Sequence, residues 1–301
     1  MDYGHHISVG DVDGDGDIDI YAASALFIND GNGNFTNKIN ELPSSLRPIQ
    51  NSYQGFIMSS VIADFNNDGI DDIFASYADS ANRSQQPHEG YTGVYSISQN
   101  GNPSYIESDI GYLSDAKYGI SNTKFNYIVA YDVNLDGNKD IVVAVTRSSP
   151  YYVGKGLQIF LNVEDPNTGN RKFIPGDYLL PDESVMDEFQ GEGMLSVLDV
   201  NNDGVLDIEH SSASGQGEFG LSFYINNSGS LSLFDMNEFA FMSQEQIPGK
   251  ENWGLNGWLL TKAMPINLDN SGWIDYISTI DSGLGDEGGS EHILYSVLSK
   301  D

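Results

Sequence analysis

Five segments of the chain place oxygen-bearing side chains at the same intervals. The first runs through Asp11, Asp13, Asp15, Asp17 and Asp19, and the second through Asp64, Asn66, Asp68, Ile70 and Asp72. The third holds Asp132, Asn134, Asp136, Asn138 and Asp140, and the fourth Asp199, Asn201, Asp203, Val205 and Asp207. The fifth is Asn267, Asp269, Ser271, Trp273 and Asp275. Their first residues lie 53, 68, 67 and 68 positions apart. Numbered from its first residue, each segment offers side-chain oxygens at positions 1, 3, 5 and 9, which can converge on one hard cation. A backbone carbonyl at position 7 can join them. Calcium takes six to eight such oxygens at about 2.3–2.6 Å, and an all-oxygen set disfavours zinc or copper. Without a cation, carboxylates so close repel one another. A glycine at position 6 (Gly16, Gly69, Gly137, Gly204 and Gly272) permits the sharp reversal that returns the later ligands. A single such segment would also read as a solvated Asp-Gly turn. Five in register point to metal loops, and the sequence predicts four or five calcium ions.

An EF-hand shares positions 1, 3, 5 and 6 but needs a bidentate Glu at position 12. Position 12 here is Ala22, Ala75, Val143, His210 and Ser278. The flanks are short β-type runs, Ile57–Ile62 and Ile73–Tyr77 around the second segment and Tyr127–Ala130 and Ile141–Val145 around the third. The unit is therefore strand, metal loop, strand. A third strand follows, as at Gly93–Ile97 or Gly156–Leu161, then an Asn/Gly-rich turn such as Asn29–Gly33, then a fourth strand near Asn34–Thr36 or Lys172–Ile174. Four antiparallel strands per repeat predict an all-β β-propeller, with blades over residues 1–43, 55–110, 124–176, 192–236 and 255–301 forming a single domain. The last blade ends after its third strand. Either it has three strands or further sequence completes it.

These residues resemble the FG-GAP or VCBS-type repeats of integrin α-subunit propellers and many bacterial surface proteins. The resemblance implies calcium in each loop on one face of the disc and ligands on the other. It also implies an extracellular or cell- or virion-surface setting. The fifth loop departs most. It starts with Asn267, has Ser271 at position 5 and keeps two carboxylates, Asp269 and Asp275, so it is expected to bind most weakly.

Composition narrows the partners. There are 44 acidic residues against 13 Lys and Arg, a formal charge of −31. Such a surface repels nucleic acid and anionic lipid. No apolar run approaches the roughly 20 residues that span a bilayer, so direct membrane insertion is not expected. With no cysteine, disulfides and thiolate chemistry are excluded. The loops between second and third strands vary in length. They and the connections between blades carry Arg83 and His88, then Arg147, Tyr151, Tyr152 and Lys155, then Trp253. Aromatic residues beside Arg suit a glycan or a cell-surface protein. The five histidines are scattered, and no Gly-x-Ser-x-Gly, His-Glu-x-x-His or phosphate-binding loop is present. A binding module is expected rather than an enzyme. A polysaccharide lyase or hydrolase on the same scaffold, and a purely structural spacer, are the rival readings.

Overall fold

A computed structural model describes residues 6–22, 25–42, 56–78, 93–97, 103–106, 123–147, 153–169, 171–179, 194–211, 221–233, 259–266, 275–281 and 292–296. The described residues form nineteen strands and one short 3-10 turn. The first sheet holds β1 (Ile7–Gly10), β2 (Asp19–Ala22), β3 (Ala25–Asn29) and β4 (Phe35–Asn37) in that order. The second holds β5 (Phe56–Ala63), β6 (Asp72–Ala78), β7 (Gly93–Ile97) and β8 (Pro103–Ile106). The third holds β9 (Thr123–Tyr131), β10 (Asp140–Arg147), β11 (Val153–Glu164) and β12 (Arg171–Leu179). The fourth holds β13 (Met194–Leu198), β14 (Asp207–Ser211), β15 (Leu221–Asn226) and β16 (Leu231–Leu233). Three strands, β17 (Leu259–Ile266), β18 (Asp275–Asp281) and β19 (His292–Ser296), make the fifth. Each sheet is thus one repeat of antiparallel neighbours in chain order, and the segment predicted to bind metal always joins its first two strands.

The chain divides into two compact units. One comprises Met1–Ser149 and Leu157–Tyr178, the other Pro150–Gly156 and Leu179–Asp301. Apart from the ends of β11 and β12, the first unit carries sheets one to three and the second carries sheets four and five. Within the first unit, β1 lies beside β5 and β5 beside β9, so successive first strands are neighbours. Within the second, β14 lies beside β17.

Sheets two and three share a core of Phe65, Phe74, Phe125, Phe160 and Phe173 with Ile128, Ile141, Val143 and Val145. Phe173 meets Phe65 and Phe74 edge-on, at 5.4 and 5.8 Å between ring centroids. Sheets one and two share Val12, Tyr21, Leu26, Leu42, Ile62, Ile73 and Ala75. The run Ile141–Val145 is buried on both faces, which is why it reads as continuous rather than alternating hydrophobicity.

Three boundaries differ from the sequence reading. Arg147 is the last residue of β10, paired with Thr123, and Lys155 lies inside β11, so neither belongs to a loop. β12 is nine residues long, far beyond Lys172–Ile174. Long flanking strands extend the ladder into polar sequence that local patterning assigns to a loop.

The loop backbones repeat closely. Position 6 is left-handed in all four described loops, at Gly16, Gly69, Gly137 and Gly204, with φ of 87° to 93°. Position 4 is left-handed too, at Gly14, Asn67, Leu135 and Asn202, with φ of 58° to 75°. Glycine and asparagine accept this region, but a leucine there costs about 1–2 kcal/mol. Leu135 is half exposed and loses little packing on replacement. Leu135→Asn is therefore expected to stabilise the protein by roughly 0.5–1 kcal/mol, read as a rise in the urea midpoint at unchanged slope. A lower midpoint would contradict the assignment of strain to this residue.

Candidate functional site

Each described loop is wound around the carboxylate at position 1. In the first loop, Asp11 Oδ1 accepts the Gly14 and Asp15 N–H groups at 2.8 and 3.1 Å, and Oδ2 accepts Gly16 N–H at 2.9 Å. The later loops repeat this. The N–H groups of Asp68, Asp136 and Asp203 reach Oδ1 of Asp64, Asp132 and Asp199 at 3.0–3.2 Å. Those of Gly69, Gly137 and Gly204 reach Oδ2 at 2.8–3.0 Å. The left-handed residues at positions 4 and 6 turn these donors inward. The position 5 carboxylate receives the N–H of position 7, from Asp17, Ile70, Asn138 and Val205, at 2.8–2.9 Å.

The aspartate at position 9 does a different job. Asp19, Asp72, Asp140 and Asp207 are fully buried. Their Oδ2 atoms accept the N–H of position 2, from Val12, Phe65, Val133 and Val200, at 2.9–3.0 Å. In three repeats Oδ1 also accepts a third-strand N–H at 2.8 Å, from Asn29, Asn162 and Asn226. One side chain thus closes the loop and fastens it to the third strand. The four position 2 residues are themselves buried and seat the loop in the core. Sequence reasoning singled out neither position 2 nor the third-strand asparagine. The available signals were an apolar residue at position 2 in all five segments and the endings Phe27-Ile28-Asn29, Phe160-Leu161-Asn162 and Tyr224-Ile225-Asn226.

Electrostatics reflect the crowding. Burial, followed by the facing carboxylates of Asp19, Asp15 and Asp11, pushes the Asp13 carboxyl up to about 6 despite the Asp15 N–H. Burial also pushes Asp140 up to about 6, against the N–H bonds it accepts from Asn162, Val133 and Asn134. Asp19 and Asp207 are raised for the same reason. At Asp136 burial is outweighed: hydrogen bonds from Asn138 and Asn134, with the nearby Arg171 guanidinium, hold it below the usual carboxylate range. Asp11, Asp13 and Asp15 bring carboxylate oxygens within 4.8 Å of one another, a spacing one cation can bridge. Loops two to four carry an amide at position 3 instead, Asn66, Asn134 and Asn201, whose carbonyls are equally hard donors.

Residues 11–75 match the family model of the FG-GAP-like repeat. The chain carries an FG-GAP-like repeat. The match begins at the first residue of the first loop and ends in β6, beyond the second loop. FG-GAP repeats often bind calcium, and the Asp11, Asp13 and Asp15 group could hold an ion. A comparison with curated proteins finds no match.

The other predicted residues divide. Of the fifth loop, Asn267, Asp269, Ser271 and Trp273 lie outside the described residues, and Asp275 opens β18. Arg83, His88, Tyr151, Tyr152 and Trp253 also lie outside them. Arg147 ends β10 at the end of the sheet away from the third loop. His6, given no role by the sequence, places Nδ1 2.6 Å from Ser60 Oγ, which also hydrogen-bonds Ser8 Oγ. Ser60 is a buried residue of β5, so its bonds to His6 and Ser8 link two first strands.

The geometry separates loop closure from ion binding. Asp207→Ala removes the acceptor of the buried Val200 and Asn226 N–H groups and should cost about 3 kcal/mol already in chelator. Asn201→Ala removes only exposed contacts and should lower the melting temperature in calcium but hardly in chelator. Equal behaviour of the two variants in denaturation curves would contradict the division.

Proposed function

We propose that the protein is a calcium-stabilised β-propeller whose repeats are its blades, and that it serves as a binding module rather than an enzyme. The observation that carries this reading is the loop geometry repeated four times around Asp11, Asp64, Asp132 and Asp199. Neighbouring first strands in chain order within the first unit, and the FG-GAP-like match, support the blade arrangement. Calcium would be held at positions 1, 3 and 5, by the backbone carbonyl of position 7, and through position 9 at the loop's base. When bound it supplies positive charge between carboxylates that otherwise repel. The protein's own part is to hold those oxygens on a buried apolar seat. Four ions are proposed for the first four loops and a weaker fifth at Asp269 and Asp275.

The ligand is proposed to be an extracellular glycan, with a cell-surface protein next. FG-GAP repeats are typical of extracellular or surface proteins. Among the described residues, no helix is long and apolar enough to cross a membrane. In the third repeat, β10 carries the chain from the metal loop to Arg147 at the sheet's other end, where the segment with Tyr151 and Tyr152 begins. Variable loops on a rigid scaffold are where binding residues gather.

Calorimetric titration of chelated protein should show at least four calcium-binding events, and strong selection of zinc over calcium would refute the metal assignment. A glycan array probed in calcium should give hits that Tyr151→Ala/Tyr152→Ala weakens without lowering the melting temperature. Unchanged binding by that double variant would place the ligand elsewhere.

A further inference from the structure

Neighbouring metal loops in the first unit are hydrogen-bonded from the first half of one loop to the end of the next, directly or through the third-strand Asn162. Asp71 is position 8 of the second loop and contributes no ligand. Its Oδ2 accepts the Asp11 N–H at 2.9 Å, and its own N–H donates to Asp11 O at 3.0 Å. Position 1 of the first loop is therefore clamped by two bonds to a residue flanked by positions 7 and 9 of the second. The fit is tight: a Cβ on the neighbouring Gly10 would overlap Ile62 and stand 2.6 Å from Asp71 Oδ2.

The second and third loops repeat the arrangement with other residues. Asn162 Nδ2 donates to Phe65 O, at position 2 of the second loop, at 2.8 Å. The same amide donates to Lys139 O, at position 8 of the third loop, at 3.0 Å, while the Asn162 N–H donates to Asp140 at 2.8 Å. Asn67, position 4 of the second loop, donates to Asn138 Oδ1, at position 7 of the third, at 2.8 Å. Asn162 is held in turn by Arg171, which donates from Nε to its Oδ1 at 3.1 Å and from Nη2 to its carbonyl at 2.7 Å.

We infer that the first three loops bind calcium cooperatively, with the Asp71–Asp11 clamp and the Asn162 and Asn67 bridges carrying the coupling. The inference rests on the calcium reading above. An ion that orders Asp11 in the first loop fixes the backbone atoms that position Asp71, and so pre-orders the end of the second loop. The second ion then orders less chain on binding, which is positive cooperativity. Coupling of this kind is reciprocal: each loop must change the other's affinity by the same factor.

The test follows single loops in calcium titrations by nitrogen-15 NMR of the full chain. The Gly16, Gly69 and Gly204 amides report on loops one, two and four, since each donates to the position 1 carboxylate of its loop. Disabling loop one with Asp13→Asn/Asp15→Asn should raise the half-saturation concentration at Gly69 about five-fold or more and leave Gly204 unmoved. Disabling loop two with Asp68→Asn should shift Gly16 by the same factor. With Asp71→Ala, which removes the side-chain bond and keeps the backbone one, the cross-dependence should fall at least two-fold while every loop still binds. Asp71→Asn, which keeps an acceptor oxygen and guards against a misfolded alanine variant, should retain it. A Gly69 midpoint indifferent to loop one, or a dependence undiminished by Asp71→Ala, overturns the inference and leaves the calcium reading intact. No response of Gly16 or Gly69 to excess calcium overturns both.

Discussion

The described loops gather carboxylates on top of an apolar core, three of them within 4.8 Å of one another in the first loop, and the rest of the structure answers to that constraint. The backbone supplies part of the solution. N–H groups from positions 4, 5 and 6 converge on Asp11, and those of positions 5 and 6 on Asp64, Asp132 and Asp199. The left-handed backbone at positions 4 and 6 is what aims them. The buried aspartate at position 9 supplies the rest by joining the loop's start to the third strand in three repeats. Its charge is stabilised by N–H dipoles but still penalised by burial, as the raised Asp140 shows. Donors alone leave the cost of burial incompletely offset, with Asp136 adding a smaller repulsion.

The repeat and the strand–loop–strand order were legible in the sequence, because an aspartate set around a fixed glycine survives inspection of five segments side by side. Positive φ at position 4 was not, since Gly14, Asn67, Leu135 and Asn202 share a conformation rather than a side-chain type. The two roles of the aspartates were hidden for another reason. A ligand and a buried staple have the same one-letter identity, and only full burial and paired acceptors at Asp140 or Asp207 separate them. Contacts between repeats were illegible too, because Asp71, Asn67 and Asn162 occupy unlike positions within their repeats. Arg147 and Lys155 were assigned to a loop because Ser148, Ser149 and Pro150 break the pattern between them, although strands continue on both sides.

A formal charge of −31 adds a global term to this local one. Self-repulsion across the surface opposes compaction, and any cation held by the folded loops offsets it. The order of the loops by local charge is uneven. The first gathers Asp11, Asp13 and Asp15, whereas in the third Asn134 and Asn138 hydrogen-bond Asp136 and Arg171 stands near it. Loops of one geometry thus differ in how much they gain from a cation.

The central claim is that a cation relieves carboxylate crowding that the folded backbone cannot relieve alone. Asp13 and Asp140 are raised from 3.8 to about 6 in the folded protein, so it binds protons there more tightly than the unfolded chain does. Their contribution to stability is present below the unfolded value and is lost as pH rises through about 6. Asp30, Asp136 and Asp165, which are lowered, act in the opposite sense only below 3.8. The direct measurement is the melting temperature between about pH 4 and about pH 6.5, in excess chelator and in saturating calcium. The account predicts a fall with rising pH in chelator that calcium abolishes. Coincident curves, or a metal-free melting temperature that climbs across that window, would contradict it.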